Sequence, residues 1–232
     1  MPQDFRYHKN TQIAVKSVLG KVVKYIDAGA SEKSIAFAVK NLLEMERQKF
    51  QWFHDIQISV SSGQDTKRSK TSKFSKPGNS KIGESNLINV DLKSIDDACV
   101  GDCSRSYVIE NANVVTKPET NYMAEGMNIT HWIHDQMKEF VSDETRFDEL
   151  FCFTNELLKN KNHENLVVNH NFGHSISLNG QPREYIEKDN SNNLNEFDFF
   201  SYNIHICKQN SMWGFRYENT YFINEYGNLE EL

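Results

Sequence analysis

Residues 87–92, Leu-Ile-Asn-Val-Asp-Leu, and residues 100–107, Val-Gly-Asp-Cys-Ser-Arg-Ser-Tyr, decide the reading of this chain. Asp91 sits inside an apolar strand, where a buried carboxylate is costly unless a cation or strong donors meet it. Asp102 opens the following strand, so an antiparallel hairpin brings the two carboxylates side by side. Like charges at that range are tolerated when a divalent ion lies between them or when one acid keeps its proton. These residues alone leave other readings open, with Asp102 beside Gly101 as a turn residue, or Asp91 paired with Arg105 of the same hairpin.

Working outward, periodicity sets the frame. Val15, Val18, Leu19, Val22, Val23 and Ile26 form one helical stripe, stopped at Gly29. Ser31 and Glu32 restart a second helix with Ile35, Ala38, Val39, Leu42 and Leu43 on one face, giving an αα-hairpin. Ile56, Ile58 and Val60 then alternate as a strand, followed by the strand at 87–92 and another over 106–109. Ile129, Trp132, Ile133, Met137, Phe140 and Val141 predict a third helix. Asp143 and Glu144 open a fourth, carrying Phe147, Leu150, Phe151, Leu157 and Leu158. Strands return at 166–168, 184–186, 197–207 and 213–223. Two helices then strands, twice over, is a duplicated α+β layout in which both halves supply strands to one sheet with helices outside.

Composition agrees with one domain over residues 1–232. At 38% hydrophobic and 25% charged the chain can close a substantial core without disulfides or a structural metal. No apolar run approaches the ~20 residues of a membrane span. The start, Met1-Pro2-Gln3-Asp4, lacks a secretory signature, so a cytoplasmic location is expected. A formal charge of −6 argues against nucleic-acid and acidic-membrane partners. The local exception is the basic segment 66–82, with Lys67, Arg68, Lys70, Lys73, Lys76 and Lys81, which reads as a mobile solvated loop because aromatic residues are nearly absent from it. Cys99, Cys103, Cys152 and Cys207 lack Cys-x-x-Cys spacing and read as reduced thiols.

Two further segments carry ionisable groups. Asn171-Phe172-Gly173-His174-Ser175-Ile176 places an imidazole, the commonest transition-metal ligand, after a polar turn. His8, His131, His134 and His163 read as structural or surface residues. In Trp213-Gly214-Phe215-Arg216-Tyr217-Glu218-Asn219-Thr220, alternation puts Arg216 and Glu218 on one strand face.

In that order, Asp91, Asp102 eleven residues on, Gly-His174, Arg-x-Glu218 and the turn Tyr226-Gly227 resemble the pita-bread metallopeptidases, the M24 group of methionine aminopeptidases, Xaa-Pro aminopeptidases, prolidases and creatinase. The resemblance covers roughly residues 11–232, and Tyr25-Ile26-Asp27-Ala28-Gly29-Ala30-Ser31-Glu32 resembles the family's first interhelical turn. It implies a curved antiparallel sheet with outer helices, and one or two divalent ions (manganese, cobalt, iron or zinc) held by Asp, Asp, His, Glu and Glu. Carried over, Asp91 chelates one ion, Asp102 and Glu218 bridge, and His174 serves the other ion.

The match departs at the remaining Glu, where Phe200-Ser201-Tyr202-Asn203-Ile204-His205-Ile206 offers Asn203. A carboxamide removes a charge and weakens or loses one ion. His205 shares the face of Asn203, as substitute ligand, substrate contact or packed strand residue. Gln181 stands where the aminopeptidases place a substrate-contacting histidine, and nearby Arg183 offers a fork for a carboxylate or phosphate, or a surface pair with Glu184 or Glu187. His54 is the third catalytic candidate, near an aromatic-His pair of some members, and His170 is a weaker supporting one. The implied activity is metal-dependent hydrolysis of a C–N bond in a small peptide or amide. Other small-molecule chemistry such as that of lyases on the same fold, or an inert peptide-binding module, are the alternatives. Without the extra amino-terminal domain of many prolidase-like relatives, recognition would come from this domain's own loops or from a partner such as a second copy in a homodimer.

Overall fold

A computed structural model describes residues 3–50, 52, 54–68, 76–178 and 181–232, without the side chains of residues 3 and 4. The opening hairpin is α1 (Gln3–Val22) and α2 (Glu32–Phe50), followed by β1 (Ile56–Ser62), β2 (Asn86–Ser94), β3 (Cys103–Glu110) and β4 (Asn113–Val115). The second half repeats the order with α3 (Asn121–Phe140), α4 (Phe147–Asn160), β5 (His163–Asn165), β6 (Gly173–Ile176), β7 (Phe199–Lys208), β8 (Phe215–Ile223) and β9 (Leu229–Glu231). The strands form one nine-stranded sheet in the order β1-β2-β3-β8-β7-β5, with β4 on β3, β6 on β7 and β9 on β8. Its ladders are antiparallel, and the halves meet where β3 pairs with β8.

Each helix pair covers its own half. The stripe of α1 and α2 packs on Val60, Ile88, Val90, Leu92, Cys103, Tyr107 and Ile109. The stripe of α3 and α4 packs on Phe200, Tyr202, Ile204, Ile206 and Tyr221. All of these face the helices because they alternate along strands whose other face is polar.

Several boundaries depart from the sequence expectation. The first helix stops before Gly29, in a 3-10 turn over Val23–Tyr25. The fourth begins at Phe147 rather than at Asp143, because Arg146 takes the N-cap position and the Glu149 carboxylate accepts the Arg146 backbone N–H at 3.0 Å. The acids of its first turn are therefore Asp148 and Glu149. Residues 166–168 leave the sheet, β5 being 163–165, although the Leu166 N–H still reaches the His205 carbonyl at 2.7 Å. Residues 184–186 lie beside β6 through the single bridge of His174 with Tyr185.

The basic segment is anchored at both ends. Thr66 is fully buried in a 3-10 turn over Gly63–Lys67. Buried Glu32 accepts the N–H groups of Ser62 and Gly78, and Lys81 bridges to Ser31. Residues 66–68 and 76–82 of the expected mobile loop are thus tied to the fold, and residues 69–75, with Lys70 and Lys73, lie outside the described residues. Among the described residues, no helix is long and apolar enough to cross a membrane.

Candidate functional site

The face of the sheet turned away from the helices is polar and carries side chains in register. Asp91 pairs across the ladder with Ser104, Ser104 with Glu218, and Glu218 with Asn203, so one row crosses four strands and the seam between the halves. A parallel row runs through Asn89, Ser106, Arg216 and His205. On the other side of Asp91 come Lys93 and Asp102, then Thr220, Ser201 and His174. All but Lys93, which is half-buried, are buried. Five residues far apart in sequence, Asp91, Asp102, His174, Asn203 and Glu218, therefore share one surface.

Local geometry holds each group. Asp102 Oδ1 accepts the Ser94 N–H at 2.8 Å, and its Oδ2 meets His174 Nε2 at 2.9 Å. His174 depends on Gly173, whose φ is +125°; a Cβ there would lie 2.0 Å from the Ser201 carbonyl oxygen. Asp91 pairs with Arg216 at 2.6 Å, not with Arg105, which points to the opposite face and stacks over Tyr217 at 4.1 Å. Arg216 Nε also reaches Asn203 Oδ1 at 3.4 Å. His205 Nε2 lies 2.7 Å from the Thr66 carbonyl, an N–H donor position that leaves Nδ1 as the acceptor, and Nδ1 is buried without a partner.

The two bridging candidates differ in charge. Burial would raise the Asp102 carboxyl, but His174, with Lys93 and the Ser94 N–H, holds it at about 2. Glu218 is pushed up to about 8, by burial first and then by Asp102 and Asp91, with Lys93 and Arg216 opposing. Both Glu218 oxygens and Asp91 Oδ1 are buried without a hydrogen-bond partner. Burial, aided by Arg216, pulls His205 down to about 3.

Orphaned carboxylate oxygens beside an Asp–His pair suit a cation. Among the described residues, however, no three His, Cys, Asp or Glu side chains stand close enough as placed to chelate one. Three carboxylates share this face with two basic side chains, Arg216 and Lys93, and the fifth expected ligand is the neutral Asn203. With all three acids ionised the cluster sums to −1, which one divalent ion turns to +1 and a second to +3, so charge disfavours a pair. By charge the donor set suits one ion rather than a pair, and Asp102, His174 and Glu218 are the residues that would hold it.

The other expected residues sit apart from these rows. His54 spans Tyr7 Oη at 2.9 Å and the Val100 carbonyl at 2.8 Å, behind Gly101, and so braces the loop that delivers Asp102. Arg183 pairs with Asp97 at 2.6 Å rather than with Glu184 or Glu187. His170 is exposed in a turn at φ +55°. Gln181 lines a separate 880 Å³ groove with Phe5, Phe197 and Phe222. Lys93 was not among the sequence candidates, although the period of two from Asp91 places it on the same face.

The model of the family described as metallopeptidase family M24 matches residues 6–225. Among solved structures, an X-Pro aminopeptidase from Thermotoga maritima MSB8 superposes with a TM-score of 0.75 at 18% identity, over 98% of this chain and 60% of that one. The prolidase from Pyrococcus horikoshii OT3 gives 0.74 at 17%, over 97% and 59%. A methionine aminopeptidase from Thermotoga maritima gives 0.71 at 15%, over 100% and 96%. These likenesses carry the curled pita-bread sheet, and the chain spans about three fifths of the X-Pro aminopeptidase and the prolidase. No curated protein sequence matches it.

Proposed function

The chain belongs to metallopeptidase family M24, and on that premise we propose that it is a hydrolase of a C–N bond in a small peptide or amide, working with one divalent ion rather than two. The observation that carries this reading is Glu218, whose two buried oxygens lack any donor while sharing a sheet face with Asp102 and His174. When bound, a divalent ion supplies Lewis-acid polarisation of the scissile carbonyl near neutral pH.

The chain's own residues supply the rest. In the ion-free fold, burial and the neighbouring acids favour the protonated Glu218 carboxyl, and a bound ion would take that proton's place. The Ser175 carbonyl fixes His174 through Nδ1, so Nε2, which meets Asp102 in the ion-free fold, is the nitrogen that would turn to an ion, and Arg216 offsets part of the repulsion of Asp91 on Glu218. His205 offers Nδ1 as an acceptor two residues along the strand from Asn203. The half-buried Lys93 and the polar rows offer an apolar group little to pack on and suit the amide and terminal groups of a short peptide.

The test is elemental analysis of purified protein loaded with manganese, cobalt, iron(II) or zinc, followed by assay on Xaa-Pro dipeptides, short amino-terminal methionine peptides and simple amides. One ion per chain with turnover of at least one substrate class is expected. One bound ion with no turnover of any class overturns the hydrolase. The absence of three converging donors among the described residues favours a second reading, a peptide-binding module without an ion. Zero occupancy after loading would select it.

A further inference from the structure

We propose that Arg105 is a positioning residue of the ion site: from the helix side it grips the backbone of Glu218 across the seam between the two halves, and so fixes where that carboxylate stands relative to Asp102 and His174. The inference deepens the one-ion reading above and rests on it.

At the seam the sheet is held by little of its own ladder. β3 and β8 pair only through Ser104 with Glu218 and Arg105 with Tyr217, whereas β7 and β8 stay in register from Phe200 to Ile206. Side chains take over where that short ladder stops. Ser106 Oγ accepts the Arg216 N–H at 2.7 Å and donates to the Arg216 carbonyl at 3.1 Å. At the other end, Thr220 Oγ1 donates to the Asp102 carbonyl at 3.3 Å. Between these two stitches, Arg105 Nη1 donates to the Glu218 carbonyl at 2.8 Å and to the Ser104 carbonyl at 2.7 Å, while Nη2 donates to Asn219 Oδ1 at 2.7 Å. One guanidinium thus joins β3, just after Asp102, to the two residues of β8 centred on the acid.

Glu218 depends on that grip because nothing holds its side chain. The Ser94 N–H and His174 tie Asp102, and Arg216 ties Asp91, but both Glu218 oxygens are buried without a partner among the described residues. Ligating carboxylates are ordinarily fixed by outer hydrogen bonds. Here that duty falls to the backbone that carries the acid. The guanidinium is itself fixed, stacking over Tyr217 at 4.1 Å. Asn219 is fastened on its other side, where Nδ2 donates to Glu231 Oε1 at 3.0 Å, and Lys16 of α1 and Lys138 of α3 hold Glu231 at 2.7 and 2.9 Å. The first helix of each half therefore braces the same stretch of β8. A lysine at position 105 would keep the charge but not the planar fork that serves three acceptors at once.

The experiment is calorimetric titration of the intact chain with cobalt(II), read together with the absorption spectrum of the bound cobalt, elemental analysis and thermal melting. It compares the wild type with Arg105→Met, Arg105→Lys and Thr154→Val, the last of which breaks a buried helix-side hydroxyl pair with Tyr202 away from the seam. Arg105→Met is expected to bind cobalt about tenfold more weakly or worse, with a shifted spectrum, and Arg105→Lys about threefold more weakly or worse. Thr154→Val is expected to melt earlier while keeping the wild-type affinity and spectrum, which separates positioning from lost stability. An Arg105 variant that melts cooperatively, binds cobalt within about twofold of the wild type and leaves the spectrum unchanged overturns the proposal. So does a Thr154→Val that weakens cobalt as much as Arg105→Met. Arg105→Lys is the milder change and carries the comparison if Arg105→Met fails to fold. A wild type that takes up no cobalt sinks the ion site and this inference with it. One ion in the wild type, with Arg105 variants unchanged, sinks this inference alone.

Discussion

The two faces of the same strands obey different rules. On β7, Phe200, Tyr202, Ile204 and Ile206 face the helices, while Ser201, Asn203 and His205 face the cleft. The same alternation divides Val90 and Leu92 from Asp91 and Lys93 on β2. The helix side is held by apolar contact, which accumulates over many residues and tolerates few changes of volume. The cleft side is held by a few charges, each set by its immediate neighbours. Substitutions on the helix side should therefore be read in stability, and those on the cleft side in ion binding.

The largest effect expected from this contrast is at Asp102. Replacing it by alanine removes the partner of both His174 Nε2 and the Ser94 N–H. Asp102→Ala should lower ion affinity by about 100-fold or more and abolish any activity. Elemental analysis checks it, and full retention of the wild-type ion content would dissolve the assignment of this face as the ion site.

Gly173 belongs to both faces at once, since its missing side chain lets β6 approach β7 and so carries His174 into the cleft. A Cβ would press on the Ser201 backbone in a left-handed conformation, where neither partner can give way. Gly173→Ala should cost about 1–3 kcal/mol in denaturant unfolding and reduce ion affinity with it. Wild-type stability together with wild-type affinity would mean that β6 is not packed as described.

How much was legible in the sequence follows the same division. Helix stripes and strand alternation carry the fold, because burial repeats along an element and a window of residues averages out the exceptions. The element order and the acids at 91, 102 and 218 were therefore readable. The Asp91 partner was not, since Arg105 and Arg216 are equally close candidates on paper, and only the ladder register sends Arg105 to the helix side. Arg183 found Asp97 across a loop whose path no periodicity encodes. The start of α4 slipped by a few residues because a capping arginine, rather than the preceding acids, closes its first turn. Lys93 escaped because a lysine at a strand end ordinarily reads as a solvated edge.

The smallest effects are the pH slopes, and here the two faces should oppose one another. On the helix side, His134 is buried against Tyr221 Oη at 2.7 Å and the Tyr217 carbonyl, and burial brings its imidazole down to about 3. A folded value below the unfolded one of about 6.5 means that His134 contributes its stability fully above pH 6.5 and loses it as pH falls from there toward 3. In the cleft, Glu218 runs the other way. With its folded value near 8 and an unfolded value near 4.5, its contribution is complete below pH 4.5 and fades as pH rises toward 8. His205, at about 3, adds to the acid-side loss, so the cleft does not have a single slope. Melting temperatures of ion-free protein from pH 4 to 9 should therefore fall at both ends. His134→Gln should flatten the acid side at the cost of lower overall stability, and Glu218→Gln should flatten the alkaline side. Saturating cobalt should also flatten the alkaline side in the wild type, because a bound cation replaces the proton on Glu218. An alkaline slope that Glu218→Gln leaves unchanged would show that this carboxyl is not the buried, partnerless acid on which the contrast between the faces depends.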